Sequence, residues 1–266
     1  MIILDDPISS FDKSKKFAII DRLFKKPSEV KSLLKKTVLF LTHDFEPIVD
    51  LYIEKKFSNK LVTADYVINK NGSLEEHYID LSKDVLPITV LYLQDIQDSD
   101  LSFVCRFAAL RKYLEYVTND YFDNPAYHYI SSLLKGRLVP ISDKNDMASY
   151  LNEEQIQSAV ADIAYITRIP VEEIYYASYL NLYFTKATIL ETLKSESRNY
   201  YKLEILRALC VLENCEIRIP DEVLRKYLNA SFHIENDYAY YLNYKNFDPL
   251  PPFVVEKMES FIKTIV

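Results

Sequence analysis

The chain opens with the apolar run Met1-Ile2-Ile3-Leu4, which stops abruptly at Asp5-Asp6-Pro7. A β-branched run of this kind predicts a buried parallel strand that delivers two carboxylates at its C-terminal edge. Asp12 then stands where a helix N-cap belongs, and Phe17, Ile20, Leu23 and Phe24 recur at helical spacing as far as Pro27, so a helix of about three turns follows. A second apolar run, Val38 to Leu41, ends in Thr42-His43-Asp44. Beyond it the pattern predicts a helix through Ile48, Leu51 and Tyr52. A hairpin around Asn71-Gly72 comes next, with Tyr66-Val67-Ile68 before the turn and His77-Tyr78-Ile79 after it. Strand, helix, strand, helix and hairpin make an α/β lobe over residues 1–83.

From about residue 85 the period is helical throughout. Stretches are predicted around 100–119, 125–136, 147–167, 171–197, 199–213, 221–235 and 252–265, broken by Pro140, Pro170, Pro220 and Pro249-Leu250-Pro251-Pro252. The fold class is therefore a partial α/β lobe followed by a larger all-α region over residues 84–266. No fixed-period repeat or low-complexity tract appears.

Composition narrows the chemistry. The 266 residues include 2 glycines, where ordinary usage of about 7% would give roughly nineteen. Gly72 and Gly136 lie far apart, so this polypeptide holds no phosphate loop of the GxxxxGK[ST] kind, no GxGxxG turn and no Gly-Gly signature. The formal charge of −7 and a pI near 5.3 argue against coating nucleic acid or anionic membrane by bulk charge. Cys105, Cys210 and Cys215 match neither a disulfide framework nor a zinc spacing, and are expected as buried thiols of a reducing compartment. No basic-apolar leader opens the sequence, and no apolar run reaches the roughly 18 residues of a spanning helix. The expected location is the cytosol, with no membrane partner.

A strand ending in two acids and followed by Pro-Ile-Ser-Ser-Phe-Asp has a specific use in ATP hydrolysis. One acid holds a water of the Mg²⁺ shell and the other polarises the attacking water. A histidine at the end of a neighbouring strand can hydrogen-bond the terminal phosphate. Ile2-Ile3-Leu4-Asp5-Asp6-Pro7-Ile8-Ser9-Ser10-Phe11-Asp12 resembles the Walker B and D-loop segment of ABC-type ATPases of the SMC, RecF and RecN group. Val38-Leu39-Phe40-Leu41-Thr42-His43 resembles their H-loop. The resemblance, which covers about 80 residues, implies Asp5 as the magnesium carboxylate and Asp6 as the water-activating position. It implies Ser9 and Asp12 as the D-loop, and His43 as the switch histidine. The Asp-Asp pair departs from the Asp-Glu of transport ABC proteins and looks like the variant of large bacterial defence ATPases. The Walker A loop and signature motif, upstream in relatives, are absent. The chain is thus expected to be the C-terminal part of a longer ATPase. ATP and Mg²⁺ would bind only with an upstream ATPase half or a second ATPase head, the complete protein forming an ATP-dependent dimer.

In the same broad family, anticodon nucleases of the PrrC and RloC type carry a helical RNase region after the ATPase motifs, with an Arg, a Glu and a His assigned to cleavage. Arg111 and Glu115 are four apart and share a helix face. His233, in Asn229-Ala230-Ser231-Phe232-His233, resembles the Asn-x-x-x-His element of those proteins. Chemically the set suffices for metal-independent attack of a 2′-hydroxyl on its neighbouring phosphate. His233 would move the proton, Glu115 would act as complementary base and Arg111 would grip the phosphate oxygens. Arg225 on the Asn229 helix ranks behind Arg111 for that grip, since eight residues span about 12 Å.

The plainer reading of Arg111 and Glu115 is a solvated helix pair, and of His233 a cap or a packed side chain. His77 and His128 are expected to be structural. The 22 tyrosines, clustered at Tyr175-Tyr176, Tyr200-Tyr201 and Tyr238-Ala239-Tyr240-Tyr241, are expected to pack between helices rather than stack on bases, because Glu, Asp and Asn are interleaved with them. The basic runs Lys13 to Lys16, Lys25-Lys26 and Lys35-Lys36 are expected as solvated helix faces. The sequence therefore points to an ATP-gated bacterial anti-phage defence protein whose helical region cleaves tRNA or other RNA. The alternatives are an ATPase fragment of the DNA-repair or surveillance kind, whose helical region only recruits or senses a partner, and a fragment inert without its upstream half.

Overall fold

The computed structural model describes residues 1–8, 13–24, 32–54, 61–70, 72–118, 120–142, 149–212, 219, 221–229, 242–243, 245–248 and 250–265. The chain divides into two compact units, Met1–Leu86 with Asp237–Phe247, and Pro87–Asn236 with Asp248–Val266. The first is a mixed α/β unit and the second, larger one is helical.

In the first unit, strand β1 (Ile2–Asp5), helix α1 (Lys13–Leu23) and strand β2 (Val38–Leu41) form a strand-helix-strand crossover. β1 and β2 pair in parallel, with Ile2 opposite Val38 and Asp5 opposite Leu41. The expected helix after β2 is a single α-turn, α2 (Glu46–Val49), running into a π turn at Asp50–Glu54. Strands β3 (Ala64–Lys70) and β4 (Ser73–Ile79) make the hairpin. Gly72 closes it at φ 86, and its N–H donates to Asn69 Oδ1 at 3.0 Å.

The core of this unit gathers Phe45, Ile79, Leu81 and Val85 with Leu242 and Phe247. The last two come from the returning segment, which the sequence assigns to the helical region. Asp84 ties that segment down. Its carbonyl accepts the Asn243 N–H and its Oδ1 accepts Asn246 Nδ2, each at 2.7 Å.

The second unit opens on helix α3 (Ile88–Ile96), which the sequence reading leaves out because its apolar residues run almost continuously. Helix α4 (Phe103–Val117) follows, capped by Ser102. A 3₁₀ turn (Tyr121–Asp123) and the Asn124 cap, with Pro125 at its first position, start α5 (Pro125–Leu134). A short antiparallel pair, β5 (Ile141–Ser142) and β6 (Ser149–Tyr150), stands where the predicted helix 147–167 begins. Helix α6 (Glu153–Thr167) starts instead at an Asn152/Gln155 capping box.

The predicted stretch 171–197 is three helices: α7 (Val171–Ile174), α8 (Tyr176–Leu182) and α9 (Lys186–Ser195). Tyr175 takes an extended backbone conformation, and Thr185 is the next cap, accepting the Thr188 N–H. Helices α10 (Asn199–Leu212), α11 (Glu222–Asn229) and α12 (Pro252–Ile265) complete the unit. Consecutive helices pack from α3 to α8 and from α9 to α12, and α10 also packs on α4.

Two arginines, Arg106 buried and Arg207 half-buried, close helix ends here. Arg106 donates from Nε to the Ile96 carbonyl at 2.8 Å and from Nη2 to the Thr167 carbonyl at 2.7 Å, satisfying the C-termini of α3 and α6 together. Arg207 does the same for α11 through the carbonyls of Tyr227 and Leu228. Among the described residues, no helix is long and apolar enough to cross a membrane.

Candidate functional site

The parallel register of β1 and β2 puts their C-terminal ends side by side, with strand axes about 4.8 Å apart. Asp5 and Asp6 leave one end, and Thr42 and His43 leave the other. The Asp6 N–H donates to the Leu41 carbonyl at 2.8 Å, extending the ladder one step beyond the strands. The side chains of Asp5 and His43 are exposed.

Asp6 differs from them in two ways. Its backbone is left-handed, at φ 45, a conformation that L-residues adopt at a cost and that clusters at functional sites. Its Oδ1 is buried and accepts no hydrogen bond, whereas buried carboxylate oxygens are as a rule paired. Pro7 and the fully buried Ile8 anchor the chain immediately afterwards.

The turn after β2 is held from three sides. Thr42 Oγ1 accepts the Asp44 N–H at 2.9 Å, Lys16 of α1 pairs with Asp44 Oδ2 at 2.8 Å, and Phe45 enters the core. The sequence assigns Lys16 to a solvated helix face, but its side chain is only 14% exposed. Neither Lys16 nor Asp44 carries a sequence signal for this contact, because the two lie on different elements. Ser9 and Asp12 lie outside the described residues, as do Lys25 and Lys26.

The strand ends suit a magnesium nucleotide only in part. Mg²⁺ is held in such sites by one or two carboxylates, with water and substrate phosphates filling the shell. Asp5 supplies one such carboxylate, and the unpaired Asp6 oxygen beside it is an acceptor in need of a donor. Among the described residues, no group of three or more His, Cys, Asp or Glu side chains gathers to hold a metal.

β1 also has an open side. The two strands form the whole of their sheet among the described residues, and one face exposes Met1, Ile3, Leu39 and Leu41, with Ile3 at 58%. Parallel sheets are ordinarily covered on both faces, and an apolar edge strand is ordinarily blunted.

In the helical unit, Arg111 and Glu115 do pair across one turn of α4, at 3.2 Å. The guanidinium also binds Ser131 Oγ through Nε at 3.0 Å and the Tyr127 hydroxyl through Nη2 at 2.9 Å, and lies 5.3 Å from the centre of the Tyr127 ring. Arg111 thus braces α4 against α5 through Nε and Nη2. His233 lies outside the described residues, as does the cluster Tyr238 to Tyr241. Arg225 is exposed on α11.

His128 is buried, with Nε2 at 2.8 Å from the Phe122 carbonyl and 3.1 Å from Ser142 Oγ. A carbonyl only accepts, so Nε2 carries the proton and cannot activate Ser142 as a nucleophile. His77 sits on the exposed hairpin, 3.8 Å from Glu75. Tyr201 is buried and donates to Asp95; Tyr200 is also buried, and Tyr176 donates to the Arg137 carbonyl at 2.9 Å. Tyr175 is exposed. Burial pushes the Cys105 thiol up to about 12, which leaves it protonated and inert, and Cys210 is half-buried. Cys215 lies outside the described residues.

No protein-family model, curated protein or solved structure matches the chain.

Proposed function

We propose that the first unit is one half of an ATP-hydrolysing site, with its phosphate-binding loop supplied by another ATPase segment or head. The observation that carries this reading is the buried, unpaired Asp6 Oδ1 at a strained strand end, beside the strand that ends in His43. Magnesium bound with the triphosphate would neutralise charge on the phosphate oxygens. Asp5 would orient a water of the metal shell, Asp6 would accept the hydrogen bond of the attacking water, and His43 would donate to a terminal phosphate oxygen. The open edge and apolar face of β1 supply room for the complementary half, and the protected Cys105 accords with a cytosolic setting.

Titration with Mn²⁺, followed by paramagnetic broadening of backbone resonances, tests this reading. Broadening is expected first at Asp5, Asp6 and the Thr42–Asp44 turn, at about millimolar metal, and is expected to vanish in Asp5→Asn/Asp6→Asn. Broadening spread evenly over the acidic surface would overturn it.

For the helical unit, the engaged fork of Arg111 favours a module that relays the ATPase state or recruits a partner in surveillance, repair or anti-phage defence. RNA cleavage by Arg111, Glu115 and His233 is the competing reading, favoured by the intact Arg111–Glu115 pair. Incubation of the chain with tRNA separates them. Cyclic-phosphate ends that disappear in His233→Ala and Glu115→Gln would support the nuclease, and uncut tRNA would count against it.

A further inference from the structure

Lys16 and Asp44 join the two segments that flank the strand-end site. Lys16 lies in α1, the helix that follows β1, and Asp44 lies next to His43 in the turn that follows β2. Their Nζ to Oδ2 separation is 2.8 Å, with Lys16 14% and Asp44 27% exposed. A fully solvated pair contributes little. Here Oδ2 of Asp44 has neither solvent access nor a hydrogen-bond partner, so the charge of the adjacent lysine compensates a desolvated carboxylate oxygen. Removing the lysine strands that oxygen, and the cheapest relief is for the turn to swing Asp44 outward into water. The turn is short and stiff, because the Asp44 N–H is tied to Thr42 Oγ1 and Phe45 is fixed in the core. Whatever moves Asp44 therefore moves His43.

We propose that the Lys16–Asp44 ion pair is a positioning device for His43, which makes the place of the imidazole depend on helix α1. This rests on the strand-end reading above and adds two residues to it. Displacement of α1 is then transmitted to the histidine through the ion pair. Both act through His43, so both are positioning residues.

The chain has four histidines, so their imidazole proton resonances are separable, and His77 and His128 serve as internal references. Without nucleotide or metal, Lys16→Met and Asp44→Asn are each expected to shift the His43 signal by several linewidths and to leave His77 and His128 in place. Lys16→Arg is expected to match the wild type, and the exchange Lys16→Asp/Asp44→Lys to bring His43 back toward it. A His43 signal unmoved by Lys16→Met, or a common shift of all three histidines, would overturn the proposal. If Asp44→Asn does not fold, the comparison of Lys16→Met with Lys16→Arg decides alone. Because no nucleotide is present, failure here is distinct from failure of the Mn²⁺ titration.

Discussion

Asp6 combines a left-handed backbone with a buried carboxylate oxygen that nothing satisfies, and both features cost stability. Asp6→Gly removes both, since glycine adopts positive φ freely and carries no oxygen to strand. It is expected to stabilise the first unit by about 1 kcal/mol while abolishing the response to Mn²⁺, as read by thermal unfolding and by the resonances of residues 5 and 6. A destabilised Asp6→Gly would make Asp6 structural. The sequence carried the acids and His43, because an apolar run that ends in charge marks a strand end locally. It did not carry Lys16–Asp44, a contact between distant positions, nor the engagement of Arg111 by Tyr127 and Ser131. Helical spacing reports which residues share a face, but not what a neighbouring helix places opposite them.

Elements were most legible where a cap or a proline fixed an end. Pro125 opens α5 and Pro252 opens α12, close to their expected positions. The breaks inside 171–197 were hidden because Ile174, Tyr179, Ile189 and Leu193 are all buried, so the apolar pattern continues across them. Gly136 shows how an end is enforced after α5. It sits at φ 58, and a Cβ there would lie 2.9 Å from Phe184 Cε1 and 3.1 Å from Val211 Cγ1. Gly136→Ala adds backbone strain to overpacking and is expected to cost about 2 kcal/mol or more, measurable as a lower midpoint in urea. Wild-type stability in that variant would contradict the packing of α5 described above.

A second element-scale prediction concerns Asp221, which caps α11 by accepting the Leu224 N–H and pairs with Lys257 of α12. The lysine, more than the backbone N–H, holds its carboxyl below the usual range. A depressed folded value means that the contribution is present above the unfolded carboxylate pKa of about 3.9. It is lost as pH falls through the folded value. Between pH 5 and pH 2, wild type is therefore expected to lose stability more steeply than Asp221→Asn, by circular dichroism. Equal slopes would remove the Asp221–Lys257 link as a pH-sensitive element.

At the scale of the molecule, the α/β lobe and the helical region were both visible in the period of the sequence. The return of Leu242 and Phe247 to the first unit was not, because nothing local marks a segment that packs about 160 positions upstream. Within the first unit, the parallel strand pair leaves an apolar face and edge open among the described residues and ends in two acids, an arrangement that the proposed complementary ATPase segment would complete. The most direct test is a titration with magnesium tripolyphosphate, following Asp5, Asp6 and His43 together by NMR. One shared saturation curve for all three, lost together in Asp6→Asn, is the predicted result. Independent curves, or a His43 response that survives Asp6→Asn unchanged, would contradict a single site at the ends of β1 and β2.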